Sequence, residues 1–380
     1  MILNNKKKIL YVCNDSSPYG SGKALLDIID NLNTNNYLIY VLLPQDGPIV
    51  DELVKRKINY KIIKYYSWAI NGKDYFTIKF LIKHFLNHFS LLKLKRVLDI
   101  NDFDIIHSLN SCVYFGALIS KKYNLRHIWH LREYNKEYAY KWYVSKKMKE
   151  AEKLICVSKA VYDHFYNKYD LNNMTIIYDG ISIDNYKNSI IPPVNNKSYN
   201  LLMAGDICNN KGQHLAIKAV EFLIKNKAMD LNLYIAGNGD DENKLKNYVN
   251  INKLKKNIKF LGYVNNLNEL RKSTNIYLMC SLKEAWGFVT IESMMAKNLV
   301  IGSNSGGTSE IIHNSVNGYL FEPGSWQDLA KKIEYSIKNW EKSKKIIEFA
   351  HKESIKKYSV KDSISNIEKL YNIKEGEFEK

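Results

Sequence analysis

The chain has 380 residues, 46% of them hydrophobic and 25% charged, and 56 Lys and Arg against 39 Asp and Glu give it a net charge of +17. These values describe a globular chain longer than one typical core, so two domains are the first expectation. No apolar run approaches the roughly 18 residues of a membrane span, which excludes helical insertion, while the cation excess favours polyanionic partners such as anionic lipid or phosphorylated substrates.

The opening MILNNKKKILYVCN places charges before an apolar run, but that run has strand length and no small-residue cleavage site follows. A cytoplasmic protein is expected, with any membrane contact peripheral. Short β-branched and aromatic runs predict strands over 8–13, 38–43, 60–63, 104–107, 127–130 and 154–157 in the first half. A second series follows at 200–204, 231–236, 258–261, 276–280 and 299–302. Amphipathic helical patterns separate these runs, as in βαβ units with parallel sheets. Between the two series, 185–199 is polar and carries Pro192 and Pro193, which fits an interdomain linker. The predicted fold is therefore α/β, with two Rossmann-like doubly wound domains over 1–190 and 198–358 and ligand sites at the carboxyl ends of their strands. Helices are predicted at 328–340 and 342–358. A last one, within 359–380, carries Ile364, Ile367 and Leu370 and is a candidate to return to the first domain.

Cys13, Cys112, Cys156, Cys208 and Cys280 include no C-x-x-C pair and each adjoins an apolar run, so buried thiols are expected rather than disulfides or zinc. After the first strand, Gly20 and Gly22 precede a helical pattern, a turn that can present backbone N–H groups to an anion. Lys23 follows directly, so this is neither G-x-G-x-x-G nor the P-loop pattern. Lys79 to Arg96 reads KFLIKHFLNHFSLLKLKR, five cations and no acid. The expectation is a helix with its apolar face inward and its lysines toward an anionic membrane surface. No nucleic-acid motif accompanies this charge, so nucleic acid is not an expected partner. His130 closes the strand HIWH, where an imidazole facing a cleft can bond a sugar hydroxyl or steady a charge.

In the second half, Lys211 and Gly212 stand between a strand and a helix, where the ammonium can reach a phosphate. The segment KEAWGFVTIESMMAKNLVIGSNSGGTSEIIHNSVNGYLFE then gathers Glu284, Gly287, Phe288, Val289, Glu292, Gly306, Gly307 and Glu310. A helix is expected to start near Phe288, with Glu284 in the loop before it and Glu292 about one turn inside. Two such carboxylates, each able to accept from vicinal hydroxyls beside a helix N-terminus, suit a hydroxyl-rich phosphorylated ligand. A glycosidase pair would explain neither the glycine loops nor Lys211. Asp240 and Asp241 form no D-x-D arrangement and are expected on a surface turn.

Glu284, Trp286, Gly287, Phe288 and Glu292, with Gly306, Gly307 and Glu310, resemble the glutamate motif of retaining glycosyltransferases of family 4. Gly205 through Lys211 and Gly212, the turn Ile235 to Gly239, Tyr178 to Ile181 and Asn317 to Phe321 are similar to further segments of that family, so the resemblance covers nearly the whole chain. It implies the GT-B fold and transfer of a sugar from a nucleotide-diphosphate sugar, with retention, to a glycan or lipid-linked acceptor in bacterial surface polysaccharide or glycolipid synthesis. By that resemblance Glu292 would bond the donor ribose. Glu284 would hold the transferred sugar, assisted by amides near Phe288 and Val289. Lys211, with the Gly20 and Gly22 loop, would neutralise the diphosphate, and His130 would lie beside the sugar. Neither a metal nor another cofactor is implied. Where the family often has Arg this chain has Asp206, and Lys23 and Arg132 are the candidate replacement cations. Base selection is expected near 261–265 and 280–283. The competing readings are a non-catalytic GT-B partner protein that binds membrane or another transferase, and a phosphorylase or epimerase.

Overall fold

The computed structural model describes residues 6–70, 78–134, 137–138, 141–194 and 197–373, with side chains described at all of these except 70, 78, 79, 137 and 138. The chain divides into two compact units, Met1–Gly180 with Val360–Lys380, and Ile181–Ser359.

The first unit runs β1 (Lys7–Val12), α1 (Ser21–Asn31), β2 (Tyr37–Leu43), α2 (Ile49–Lys55), β3 (Asn59–Ile62), β4 (Ala69–Ile70) and α3 (Ile78–Val97). It continues with β5 (Ile105–Ser108), α4 (Phe115–Tyr123), β6 (Arg126–Leu131), β7 (Glu137–Tyr138), α5 (Lys141–Lys149), β8 (Lys153–Cys156), α6 (Lys159–Tyr169) and β9 (Met174–Ile176). Seven strands form a parallel sheet in the order β3-β2-β1-β5-β6-β8-β9. Strands buried on both faces read as continuous apolar runs, which is why β1, β5, β6 and β8 were legible. β9 escaped sequence reading because it is three residues long, and the antiparallel pair β4 and β7 because it is two.

The second unit runs β10 (Tyr199–Ala204), α7 (Gln213–Lys227), β11 (Leu231–Ala236), α8 (Glu242–Ile251), β12 (Ile258–Gly262), α9 (Asn268–Arg271), β13 (Ile276–Met279) and α10 (Phe288–Met295). Then follow β14 (Leu299–Ser303), α11 (Thr308–Ile311), β15 (Tyr319–Phe321), α12 (Trp326–Lys338) and α13 (Trp340–Lys357). Its six-stranded parallel sheet has the order β12-β11-β10-β13-β14-β15, so the strand order reverses between β10 and β13. Such a switch point leaves a crevice at the carboxyl ends of its two strands.

The last helix, α14 (Val360–Asn372), belongs to the first unit, and Val360, Ile364, Ile367 and Tyr371 enter its core. Their spacing of four, three and four places them on one helical face. The segment read as a linker is more ordered than its polar composition suggests. Ile191 and Val194 pack on the second core, Asn275 Nδ2 donates to the carbonyls of Pro192 and Pro193, and Tyr199 already belongs to β10.

Candidate functional site

In the second unit, β10 leads through Gly205 and a 3-10 turn at Asn209–Lys211 into α7, while β13 leads through 280–287 into α10. These are the strands flanking the switch point. Lys211 Nζ donates to Glu284 Oε2 at 2.8 Å, joining the two loops through their side chains. Their backbones meet as well, Leu282 N–H donating to the Asn210 carbonyl at 2.8 Å. Burial works against the Lys211 ammonium, but the adjacent Glu284 carboxylate overrides it and raises the lysine above its ordinary value.

Gly287 caps α10 at φ 107, a conformation that a side chain would strain. It makes the loop enter the helix so that the α10 N-terminus opens beside Glu284, with Phe288 and Val289 half-buried in the first turn. Gly307 N–H donates to the Glu284 carbonyl at 2.7 Å, and a Cβ there would stand 2.5 Å from the Ala285 carbonyl oxygen. The Gly306-Gly307 turn thus fixes the backbone of the glutamate loop. Glu310 lies in the first turn of α11.

Glu292 sits one turn into α10, as its spacing predicted, but it is buried and paired: Arg271 Nη2 donates to its Oε2 at 2.5 Å. Arg271, on α9 and 2% exposed, was not singled out in the sequence. It stands beside Lys272 in a polar stretch, and only its place four residues after Leu267 could have marked it as facing inward. Asp206 is exposed, and its carbonyl accepts from Gln213 Nε2 at 2.8 Å.

In the first unit, Gly20 is the N-cap of α1 with φ 54, and Gly22 N–H donates to the Tyr19 carbonyl at 3.0 Å in the turn that opens the helix. Arg132 cannot be a spare phosphate-binding cation. Its Nε and Nη2 donate to the two carboxylate oxygens of buried Asp179 at 2.8 and 2.9 Å, which already satisfies its charge. Lys23 is half-buried in the first turn of α1.

The expectation of a cleft-facing strand-end His130 requires correction. β6 continues through Leu131, and the imidazole is fully buried, stacked on His107 with ring centroids 5.3 Å apart. A chain of polar groups runs through it. His130 Nδ1 lies 3.1 Å from His107 Nε2, His107 Nδ1 lies 2.6 Å from the Tyr371 hydroxyl, and that hydroxyl lies 2.7 Å from Tyr11. His130 Nε2 makes no hydrogen bond and lies 3.9 Å from Asp179 Oδ1. Burial first, then the Arg132 charge, holds His107 and His130 well below the ordinary histidine value, so both are neutral at pH 7. The carboxylate favours a proton on His130 Nε2. His130 Nδ1 then accepts from His107 Nε2–H, and His107 Nδ1 accepts from the Tyr371 O–H.

The thiol expectation holds for Cys13, Cys156 and Cys280, which are buried, and fails for Cys112 and Cys208, which are partly exposed. Cys112 lies in a loop, with Sγ against the Glu133 carboxylate, so an adjoining apolar run did not carry it into a core. Among the described residues no group of three or more His, Cys, Asp or Glu has metal-holding geometry, and no described helix is long and apolar enough to cross a membrane.

Two family models match the chain. Glycosyl transferases group 1 spans residues 185–353 and Glycosyltransferase Family 4 spans residues 19–185. An uncharacterized glycosyltransferase of Methanocaldococcus jannaschii is 27% identical over 348 residues, 85% of this chain and 92% of that protein. A poly(ribitol-phosphate) alpha-N-acetylglucosaminyltransferase of Staphylococcus aureus is 23% identical over 260 residues, 67% of this chain and 51% of that protein. The crystal structure of Anabaena HepE in complex with UDP and glucose matches with a TM-score of 0.80 at 20% identity, over 97% of this chain and all of that one. This likeness identifies the two Rossmann-like sheets as those of the GT-B fold.

Proposed function

This chain belongs to the glycosyl transferases group 1, and from that premise we propose that it moves a sugar from a nucleotide-diphosphate sugar, with retention and without a metal ion, to a glycan or lipid-linked acceptor. The observation that carries the proposal is the 2.8 Å pair of Lys211 and Glu284 at the switch point of the second sheet, beside the α10 N-terminus. Departure of a nucleoside diphosphate develops negative charge on its phosphate oxygens. An ammonium held charged by its neighbour and the amides of a helix end supply the opposing field, the part a divalent cation plays elsewhere.

In this reading Glu284 has two partners in turn. Without donor it holds Lys211; with donor it accepts from sugar hydroxyls while Lys211 turns to the diphosphate. Phe288 and Val289 lend their amides. Glu292, held in place by Arg271, accepts from the ribose hydroxyls. We assign to Gly20 and Gly22 a part in diphosphate binding, whereas His130, fully buried in the first unit, serves the polar chain there rather than the sugar. Base selection falls to 261–265 and 280–283. The relative from Staphylococcus aureus acts on poly(ribitol-phosphate), and HepE was captured with UDP and glucose. These support a uridine donor and a bacterial surface glycan as acceptor, with the chain working at the cytoplasmic side of the membrane.

The test is transfer from a panel of UDP- and GDP-sugars, with the product's anomeric configuration read by NMR and parallel reactions in EDTA. Retention, undiminished rate in EDTA and loss of turnover in Glu284→Ala are expected. Inversion would remove the retaining step, a rate abolished by EDTA would remove the metal-free step, and an unaffected Glu284→Ala would remove the site.

A further inference from the structure

Helix α3 buries Phe80, Leu91 and Leu94, as expected of an inward apolar face, but it also turns other apolar side chains outward. Asn87 and Ser90 are buried, Asn87 Oδ1 accepting from Tyr66 N–H at 2.8 Å, its Nδ2 donating to the Tyr66 carbonyl at 3.1 Å, and Ser90 Oγ donating to the Lys64 carbonyl at 2.5 Å. These bonds fix the rotation of the helix. In consequence Leu81, Ile82, Phe85, Phe89 and Leu92 each expose 47% to 63% of their surface. Phe85, Phe89 and Leu92 line one side of a groove of about 730 Å³, and Trp142 on α5, 67% exposed, lines the other. Lys121, Lys122, Lys146 and Lys147 also line it. Glu150 bridges Lys121 and Lys147 at 3.1 and 2.6 Å, and Lys122 and Lys146 are exposed. Helices α3, α4 and α5 together carry eleven Lys and Arg and no acidic residue. Lys79, the first of these, lies outside the described side chains.

We propose that this face of the first unit docks on an anionic lipid surface, with Phe85, Phe89, Leu92 and Trp142 entering the acyl boundary and the surrounding lysines meeting headgroup phosphates. Exposed apolar patches of this kind mark an interaction site. Charge decides which occupant it takes. A second copy would set one cation-rich face against another, which disfavours self-association. Phe85, Phe89 and Trp142 can stack on nucleic-acid bases, but Leu81, Ile82 and Leu92, comparably exposed beside them, are aliphatic and have no such use. A lipid interface takes both the aliphatic side chains and the cations, and Trp at its boundary keeps its ring at headgroup level. The inference stands apart from sugar transfer, because nothing in it depends on the Lys211 and Glu284 site.

The test uses the full chain with vesicles of phosphatidylcholine, with and without phosphatidylglycerol. Co-sedimentation with the anionic vesicles alone, weakening with added salt, is expected. Phe85→Ala/Phe89→Ala/Trp142→Ala should lower binding by about tenfold or more, and Lys122→Glu/Lys146→Glu should lower it independently. Brominated lipid should quench the tryptophan emission, and Trp142→Phe should bind but lose that quenching, which keeps the proposal testable should the triple variant fail to fold. Equal binding to both vesicle types, or quenching unchanged in Trp142→Phe, overturns it. So does a concentration-dependent dimer, broken by the triple substitution, in a chain that binds no vesicle. Nucleotide-sugar turnover in solution, measured on the same variants, reports on the transferase reading alone.

Discussion

Lys211 Nζ and Glu284 Oε2 stand 2.8 Å apart although 73 residues separate them in sequence. They meet because β10 and β13 are parallel neighbours whose following loops leave the same end of the sheet. In the absence of donor each side chain of the pair holds the other in place. Lys211→Ala and Glu284→Gln should each lower turnover by about a hundredfold to a thousandfold. The double variant should lose little more than either single one, because the two act as one unit. Thermal midpoints within a few degrees of wild type would separate this from misfolding. Additive losses would show two independent roles.

Arg271 and Glu292 form a more deeply buried pair, with side chains 3% and 10% exposed. Removing one partner takes a charged hydrogen bond from the buried other, so Arg271→Ala should cost about 3 to 5 kcal/mol in urea unfolding. Arg271→Leu/Glu292→Leu should recover part of that stability while abolishing donor binding, since the apolar pair cannot accept from a ribose. Arg271→Ala at wild-type stability would show that the carboxylate is not held by this contact.

Three buried histidines make stability depend on pH in a defined direction. Burial lowers His127 to about 3 and holds His107 and His130 well below 6.5. The folded chain leaves these rings neutral, whereas the unfolded chain protonates them near 6.5. Their contribution is therefore complete above pH 6.5 and is lost as pH falls toward the folded values, at up to about 1.4 kcal/mol per pH unit for each ring. Urea unfolding between pH 7 and pH 5 should show this slope, and it should flatten in His107→Asn. A pH-independent stability over that range would contradict the buried, neutral assignment.

Tyr371 carries the hydroxyl that closes the polar chain from Tyr11 to His107. Tyr371→Phe keeps the packing but leaves those two groups without their partner, an expected cost of about 1 to 3 kcal/mol. Removing α14 altogether should be far worse, because Val360, Ile364 and Ile367 also leave the first core. Denaturant midpoints of the two variants check the order, and a Tyr371→Phe chain as stable as wild type would mean that the hydroxyl contacts contribute nothing.

The sequence by itself determined the alternation of strands and helices, because strands buried on both faces must be apolar and their connecting helices amphipathic. It also singled out Lys211, Glu284 and Glu292, through the glycines and helix start beside them and the family motif they resemble. Their partners were not legible there. The pairing of Arg271 with Glu292, and of Arg132 with Asp179, joins residues 21 and 47 positions apart. Local spacing could at most turn Arg271 inward, and it names no carboxylate for either arginine. The same limit explains α3, whose composition suggested an apolar face turned inward. Leu91 and Leu94 did turn inward, but Asn87 and Ser90 fixed a rotation that leaves Phe85, Phe89 and Leu92 outside, because backbone groups at 64 and 66 awaited them. His130 was found by its motif, but its burial was decided by His107 and Asp179, which reach it from a neighbouring strand and from the loop after β9. Period and composition choose the elements. Which polar groups find one another depends on how parallel strands bring distant loops to one sheet edge.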